Sequence, residues 1–303
     1  MRAAVTGSSG FVGTHLVPFL RSRGDDVVTI DRTGTPSVDV TDAAEVREVL
    51  SAARPDAVYH LAALSHIGRS WDAPETVFRV NALGALNVLR ACSDAGVDRV
   101  LVAGSADVYG AVGPEDLPLT EESPIRPVTP YGASKAAADV LALQAFLGDG
   151  LGTLRVRAFN HTGPRQSASM LVPGLAQRIA DAERDEGNKV SVGRVDVVRD
   201  LSDVRDVVRA YRLLVEHGTP GEAYNVCSGH GVSVREVADT MLATSDAPLE
   251  LVVDPELVRP VDVPRLVGDP ARLRAATGWE PEIPLDETLR DVLAAARARV
   301  TEA

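Results

Sequence analysis

Tyr131 and Lys135 lie four residues apart in Tyr131-Gly132-Ala133-Ser134-Lys135. On a helix that spacing puts both side chains on one face. The chain has 31 Lys and Arg, yet Lys occurs only at 135 and 189. Arg cannot lose its proton, whereas Lys is a compact charge on a flexible stem. A cation beside a phenol favours the phenolate and draws the tyrosine pKa down from about 10. The pair therefore predicts a tyrosine able to exchange protons near neutral pH. The competing reading is a surface Tyr near a surface Lys.

A second motif precedes it. Gly7-Ser8-Ser9-Gly10-Phe11-Val12-Gly13 follows an apolar run and opens a helical pattern. Glycines at this spacing let the backbone turn tightly and approach a pyrophosphate at the positive end of a helix. Asp31 ends the next apolar run, where an acid accepts hydrogen bonds from an adenosine ribose and repels a 2′-phosphate. Arg32 beside it could instead meet that phosphate, so NAD and NADP both stay open. Asp39 and Val40 are candidates for the adenine, with a loop acid as the alternative for Asp39. His60-Leu61-Ala62-Ala63 ends a third run. The small residues would let a cofactor lie close over the strands, while His60 reads as structural. In Gly104-Ser105-Ala106-Asp107-Val108-Tyr109-Gly110, Ser105 is placed to hydrogen-bond a substrate oxygen and Asp107 to act as an auxiliary acid or base. Arg165, Arg199 and Arg259 fall on loops of the second half, where Arg suits phosphate oxygens. The six His form no cluster with metal-ligand spacing, so no metal is expected.

Strands that alternate with helices must position these groups. Apolar runs at 2–6, 27–30, 56–61, 99–103 and 154–159 read as strands. Helical patterns fall at 11–21, 42–53, 74–95 and 131–147, with Thr41 or Asp42 capping the second and Gly148 closing the last. Uniformly apolar strands argue for a parallel sheet covered on both faces. The expectation is an α/β fold: a doubly wound, Rossmann-type parallel sheet with a smaller, irregular C-terminal substrate-binding lobe. Residues 1–159 would form the dinucleotide-binding domain and 160–303 mainly the lobe, with segments near 195–228 returning to the first domain. A helix at 204–216 and a strand at 224–228 are the returning elements.

Composition excludes several classes. A net charge of −12 disfavours a partner built on a phosphate backbone, so no nucleic acid is expected. Cys92 and Cys227 imply neither a disulfide framework nor a zinc knuckle, which suits a reducing cytoplasm. Neither a cleavable leader nor a membrane-spanning run is expected.

Together these residues resemble the extended short-chain dehydrogenase/reductase family that acts on nucleotide sugars. The resemblance rests on the Gly7–Gly13 loop, His60–Ala63, Asn81-Ala82-Leu83-Gly84-Ala85-Leu86-Asn87-Val88-Leu89, the segment 105–110, Tyr131 with Lys135, Asn160 and Arg199-Asp200. It implies a Ser–Tyr–Lys set at Ser105, Tyr131 and Lys135, and a nicotinamide cofactor, NAD or NADP, on the Gly-rich loop near Ser9, Leu61 and Asn81. Stretches at 159–167, 198–206, 224–229, 259–264, 268–269 and 277–281 resemble a branch that reduces the C4 ketone of a GDP-linked 4-keto-6-deoxy sugar. By the same resemblance Asn160, Arg165, Arg199 and Arg259 would hold the nucleotide or diphosphate, Asp262 would contact a ribose, and the protein would be a homodimer. Two departures stand out. Arg165 occupies a place where many relatives have Gly. Ala106 and the short Asp107 replace the acids that 4,6-dehydratases carry after the catalytic Ser or Thr. An epimerase or dehydratase that retains NAD, and a non-catalytic dinucleotide sensor, are the alternatives.

Overall fold

The computed structural model describes residues 1–34, 36–258 and 263–302. Its strands are β1 (Arg2–Thr6), β2 (Asp26–Ile30), β3 (Ala57–His60), β4 (Arg99–Ala103), β5 (Thr153–Ala158), β6 (Asn160–Thr162), β7 (Lys189–Val192), β8 (Val198–Asp203), β9 (Ala223–Val226), β10 (Gly231–Ser233), β11 (Glu250–Val253) and β12 (Arg265–Leu266). The helices are α1 (Gly13–Ser22), α2 (Ala43–Ala53), α3 (Pro74–Phe78), α4 (Gly84–Ala95), α5 (Pro130–Asp149), α6 (Leu171–Arg184), α7 (Val204–His217), α8 (Val234–Leu242), α9 (Ala271–Thr277) and α10 (Leu285–Glu302).

Six strands form a parallel sheet in the order β2-β1-β3-β4-β5-β9. Ala3, Ala4 and Val5 of β1 are fully buried, as expected of a strand covered on both faces. Leu16, Val17 and Leu20 of α1 pack one face together with α7 and Leu273 of α9. Val46 and Leu50 of α2, Val88 of α4 and Ala142 of α5 pack the other. The order reverses between β1 and β3, and ligands of such sheets bind in the crevice beyond the strand C-termini at that switch point.

β8 is the spine of a second, smaller sheet. β10 pairs with it antiparallel, β12 and β6 parallel, and β7 pairs separately with β11. α6, α8 and α10 close over a core that includes Ile179, Met241 and Leu293. α7 packs on the six-stranded sheet and β9 completes its edge, whereas β8, just ahead of α7, stays in the smaller sheet.

Most element ends shift by a residue or two from the sequence reading, and two differences have a clear physical reason. The pattern at 74–95 is not one α-helix, because α3 and α4 are joined by a π-helical turn at Arg79–Leu83 that buries Asn81. Gly148 does not end α5. The helix runs to Asp149, and Gly150 closes it at φ +72°, a left-handed conformation that glycine adopts without a Cβ clash. Asp42, one of the two expected caps, accepts from the amides of Ala44 and Glu45 at the start of α2.

Candidate active site

Because the strands are parallel, the residues after β1, β3, β4 and β5 all emerge at one edge. Gly104 lets β4 run close to β5 there, since a methyl group on it would stand 2.3 Å from the Val156 carbonyl oxygen. Ser105 follows, extended, and caps a short 3-10 turn at Ala106–Val108. α5 starts beside that turn. Thr129 caps it by accepting the Gly132 amide at 3.0 Å. A methyl on Gly132 would meet the Asp107 carbonyl oxygen at 2.7 Å, so glycine permits the close approach. The result brings Tyr131, on the first turn of α5, close enough to Ser105 for the serine to favour its ionised form.

Lys135 lies one turn further along α5, buried, and donates to the Ala103 carbonyl at the end of β4 at 2.8 Å. Burial draws its pKa down to about 8. The expected lowering of the tyrosine pKa is not what the structure shows. Burial and then the charge of Asp107 push Tyr131 well above its ordinary value, and nearby Ser105 offsets only part of this. The physical reason is that Tyr131 is enclosed, with only 7% of its surface exposed, and the Lys135 ammonium is spent on a carbonyl.

Asn81 was assigned by resemblance to the cofactor. Its side chain reaches the Leu64 amide at 2.8 Å, the Leu64 carbonyl at 3.1 Å and Ser134 Oγ at 2.9 Å. It thus ties the loop after β3 to the Tyr131–Lys135 turn. His60 is buried and bonded to Thr6 Oγ1 at 2.8 Å. Burial, then the charge of Lys135, lowers its pKa to about 3, so it stays neutral at the structural post the sequence suggested.

The glycine loop fits a dinucleotide. A methyl on Gly7 would lie 2.7 Å from the Ala62 nitrogen, and one on Gly13 would lie 2.5 Å from the Gly7 and Ser8 carbonyl oxygens. A methyl on Gly10 would meet only the Gly7 oxygen, at 3.1 Å, so its outer side is open. Bare backbone beside the unpaired first amides of a helix is what a pyrophosphate requires. Phe11 and Val12 anchor the loop in the core, and Phe11 also stacks on His161 with ring centroids 6.1 Å apart. Leu61, Ala62 and Ala63 are half-buried beside it. Asp31 accepts from the Ser9 amide at 2.9 Å and from the Thr33 amide and hydroxyl. Burial opposes its ionisation, but these bonds prevail and hold the carboxyl below its ordinary range. Exposed Arg32 lies close enough to Asp39 to lower its pKa, after the larger effect of the Thr41 hydrogen bonds. Val40 is buried, with 2.9 Å between its Cγ2 and a methyl built on Gly84 of α4.

The second-half candidates are less closely tied. Asn160 is exposed at the start of β6. Arg165 is exposed and left-handed at φ 72°, which explains why glycine suits the position. Arg199 is half-buried and donates to the Val198 and Val263 carbonyls at 2.9 and 2.7 Å. Its neighbour Asp200 points the other way, fully buried, and accepts from the amides of Ser228, Gly229 and Gly268. Arg259 and Asp262 lie outside the described residues.

A buried polar network behind Ser105 escaped the sequence reading. Arg155 and Arg157, two apart on β5, both grip Asp139 of α5, at 2.8 and 3.2 Å. Arg157 also donates to the Tyr109 hydroxyl and the Glu121 carbonyl, and Tyr109 donates to Asn225 Oδ1 of β9 at 2.6 Å. The network fixes the segment after Ser105 against the sheet. The available signal was two arginines at alternating positions of an otherwise apolar strand.

The family described as GDP-mannose 4,6 dehydratase matches residues 4–292. The GDP-6-deoxy-D-mannose reductase of Pseudomonas aeruginosa is 37% identical over 99% of both chains. The solved structure of RMD from Pseudomonas aeruginosa, complexed with NADPH, superposes with a TM-score of 0.90 at 35% identity, covering 99% of this chain and 100% of that one. The Thermus thermophilus UDP-glucose 4-epimerase in complex with NAD gives 0.87 at 32% identity, covering 98% and 99%.

Proposed function

The chain belongs to the GDP-mannose 4,6 dehydratase family, and on that premise we propose that it is an NAD(P)H-dependent reductase of the C4 ketone of a nucleotide 4-keto-6-deoxy sugar, GDP-4-dehydro-6-deoxy-D-mannose first, giving GDP-D-rhamnose. The observation that carries the reading is the placing of Ser105 and Tyr131 together beside buried Lys135, at the mouth of a glycine-lined dinucleotide cradle. The full-length similarity to a GDP-6-deoxy-D-mannose reductase supports the choice of substrate.

A reduced nicotinamide dinucleotide, when bound, supplies the hydride. Ser105 and Tyr131 hydrogen-bond the carbonyl oxygen and stabilise the negative charge that develops on it. Tyr131 is a neutral phenol at physiological pH and is the proton donor. Lys135, its ammonium on a flexible stem, reorients from the Ala103 carbonyl to hold the nicotinamide ribose. The Gly7–Gly13 backbone holds the pyrophosphate, and Asp31, Arg32, Asp39 and Val40 the adenosine end. Asn81 keeps the Leu64 loop seated on α5. Asn160, Arg165, Arg199, Arg259 and Asp262 are assigned to the nucleotide sugar. Residues 1–159 with α7 and β9 serve the cofactor, and the remainder serves the sugar nucleotide. Exposed Val140 and Leu147 of α5, with Leu83 nearby on the adjoining helix, offer a face for a second copy.

The test is incubation with a panel of GDP-, dTDP- and UDP-linked 4-keto-6-deoxy sugars and each reduced coenzyme, following loss of the reduced-nicotinamide absorbance. Oxidation with the GDP sugar is expected. No oxidation with any GDP sugar, or turnover by the purified protein without added reductant, removes the reading in favour of an NAD-retaining epimerase or dehydratase.

A further inference from the structure

A half-buried cation of the smaller lobe stands without a partner. Arg178 lies midway along α6. Its Nε is buried and unbonded, and no atom of its guanidinium makes a hydrogen bond or an ion pair among the described residues. Other arginines packed against the lobe are matched: Arg205 reaches Asp203 and Asp291, and Arg297 reaches Glu183. Burying an unmatched charge is costly, and an orphaned buried donor calls for an explanation. A ligand that completes the guanidinium supplies one.

The surroundings narrow the ligand. Long helical side chains point back toward the helix N-terminus. Arg178 does so, since a methyl built on Gly174 would stand 3.5 Å from its Nη1 and 2.6 Å from the Ala168 carbonyl oxygen. The guanidinium therefore lies over the turn that leads from Asn160 and Arg165 into α6. Leu171, two turns earlier on the same helix face, is partly buried and packs against the cluster of Val192, Val197 and Val234. β7 and β11 end together nearby, where the Asp254 amide donates to the Val192 carbonyl at 2.7 Å. Apolar side chains close to a donor fork suit a flat ring with acceptors on one edge. Burial works against the charge of Arg178, and nearby Asp254 offsets only part of this. The carboxylate also suits a neutral ring better than a diphosphate, which it would repel.

We propose that Arg178 is a specificity-determining residue of the nucleotide-sugar site, donating to O6 and N7 of guanine and so selecting GDP-linked sugars over UDP- and dTDP-linked ones. The inference rests on the nucleotide-sugar reading and deepens it. Guanine presents O6 and N7 as adjacent acceptors, which a guanidinium meets with two bonds. Uracil and thymine offer O4 alone beside a carbon, so one donor of the fork is left unpaired.

The test is calorimetric titration of the full-length protein with GDP, UDP and 7-deaza-GDP, in which a carbon replaces N7. Arg178→Met is expected to weaken GDP binding about tenfold or more and UDP binding by less than about twofold. The wild type is expected to bind 7-deaza-GDP several-fold more weakly than GDP, and the Met variant to bind the two alike. The thermal midpoint of the Met variant should equal or exceed that of the wild type, because an unmatched charge has been removed. Equal losses for GDP and UDP, which mark a diphosphate contact, overturn the proposal. So do unchanged GDP affinity, a 7-deaza penalty that survives the substitution, or a lowered midpoint, which marks a structural arginine. If Arg178→Met does not fold, Arg178→Lys keeps the charge without the planar fork and is likewise expected to lose the 7-deaza penalty. A wild type that binds no nucleoside diphosphate removes the nucleotide-sugar reading itself, whereas the other contrary outcomes remove this inference alone.

Discussion

Around Tyr131 the polar groups are buried and already committed to one another, while Asn160 and Arg165 themselves face solvent. Ser105, Ser134, Lys135 and Asn81 are all buried and hydrogen-bonded within the site or to its walls. Asn160 and Arg165 are exposed. A group that must transfer a proton in one geometry benefits from being held in advance, since catalysis rewards preorganised donors. A group that must recognise a variable sugar nucleotide can be ordered when that ligand arrives, so it sits on a loop. On this account the first region sets the reaction and the second sets the substrate, and substitutions in the two should fail differently.

The largest separation should come from Tyr131→Phe. Loss of the proton donor is expected to cut kcat by about 10²–10⁴-fold, while coenzyme affinity, read by quenching or enhancement of nicotinamide fluorescence, stays near wild type. Substantial turnover in that variant would contradict the role given to Tyr131. Next comes the support beneath it. Asp139→Leu leaves Arg155 and Arg157 buried without their partner, which is expected to cost about 3–5 kcal/mol in denaturant unfolding. A loss below about 1 kcal/mol would mean that the Asp139 pair is not what holds the segment after Ser105.

His60 gives a pH signature of the buried region. Burial takes its pKa from 6.5 in the open to about 3 in the fold. Over that window the unfolded chain binds a proton that the folded chain refuses, so stability falls as the pH drops through it. The slope from this group is at most about 1.4 kcal/mol per pH unit. Denaturation curves at neutral and mildly acidic pH should show a shallower slope in His60→Gln than in the wild type, and equal slopes would remove His60 as the cause. The exposed region should respond least in stability. Arg165→Gly relieves a left-handed backbone, so unfolding free energy should change by no more than about 1 kcal/mol. The KM for the nucleotide sugar should rise several-fold with kcat held. A fall in kcat instead would place Arg165 with the first region.

The same contrast explains what could be read from residues alone. The strand ends, the glycine loop and the Tyr131–Lys135 spacing are local patterns, set by periodicity and by turn chemistry, and the sheet brings them together as expected. Partners far apart in sequence were not legible. Nothing local marks Asp200 as turned inward while Arg199 turns outward, or Asp139 as the shared anchor of Arg155 and Arg157. The π-helical turn at Arg79–Leu83 follows from seating Asn81 against Leu64 and Ser134, which is a tertiary demand on a sequence that otherwise continues a helix. The direction of the Tyr131 shift was missed for a similar reason, because spacing places the cation but does not report burial or where the ammonium donates.

The most direct test of the central claim follows the hydride. The protein is supplied with coenzyme carrying deuterium at the transferable position of its nicotinamide and with GDP-4-dehydro-6-deoxy-D-mannose, and the sugar product is analysed by mass spectrometry and proton NMR. The account predicts a single deuterium on C4 of the product and one coenzyme oxidised per sugar reduced. A product without deuterium, or a sugar altered with no net oxidation of coenzyme, would contradict it.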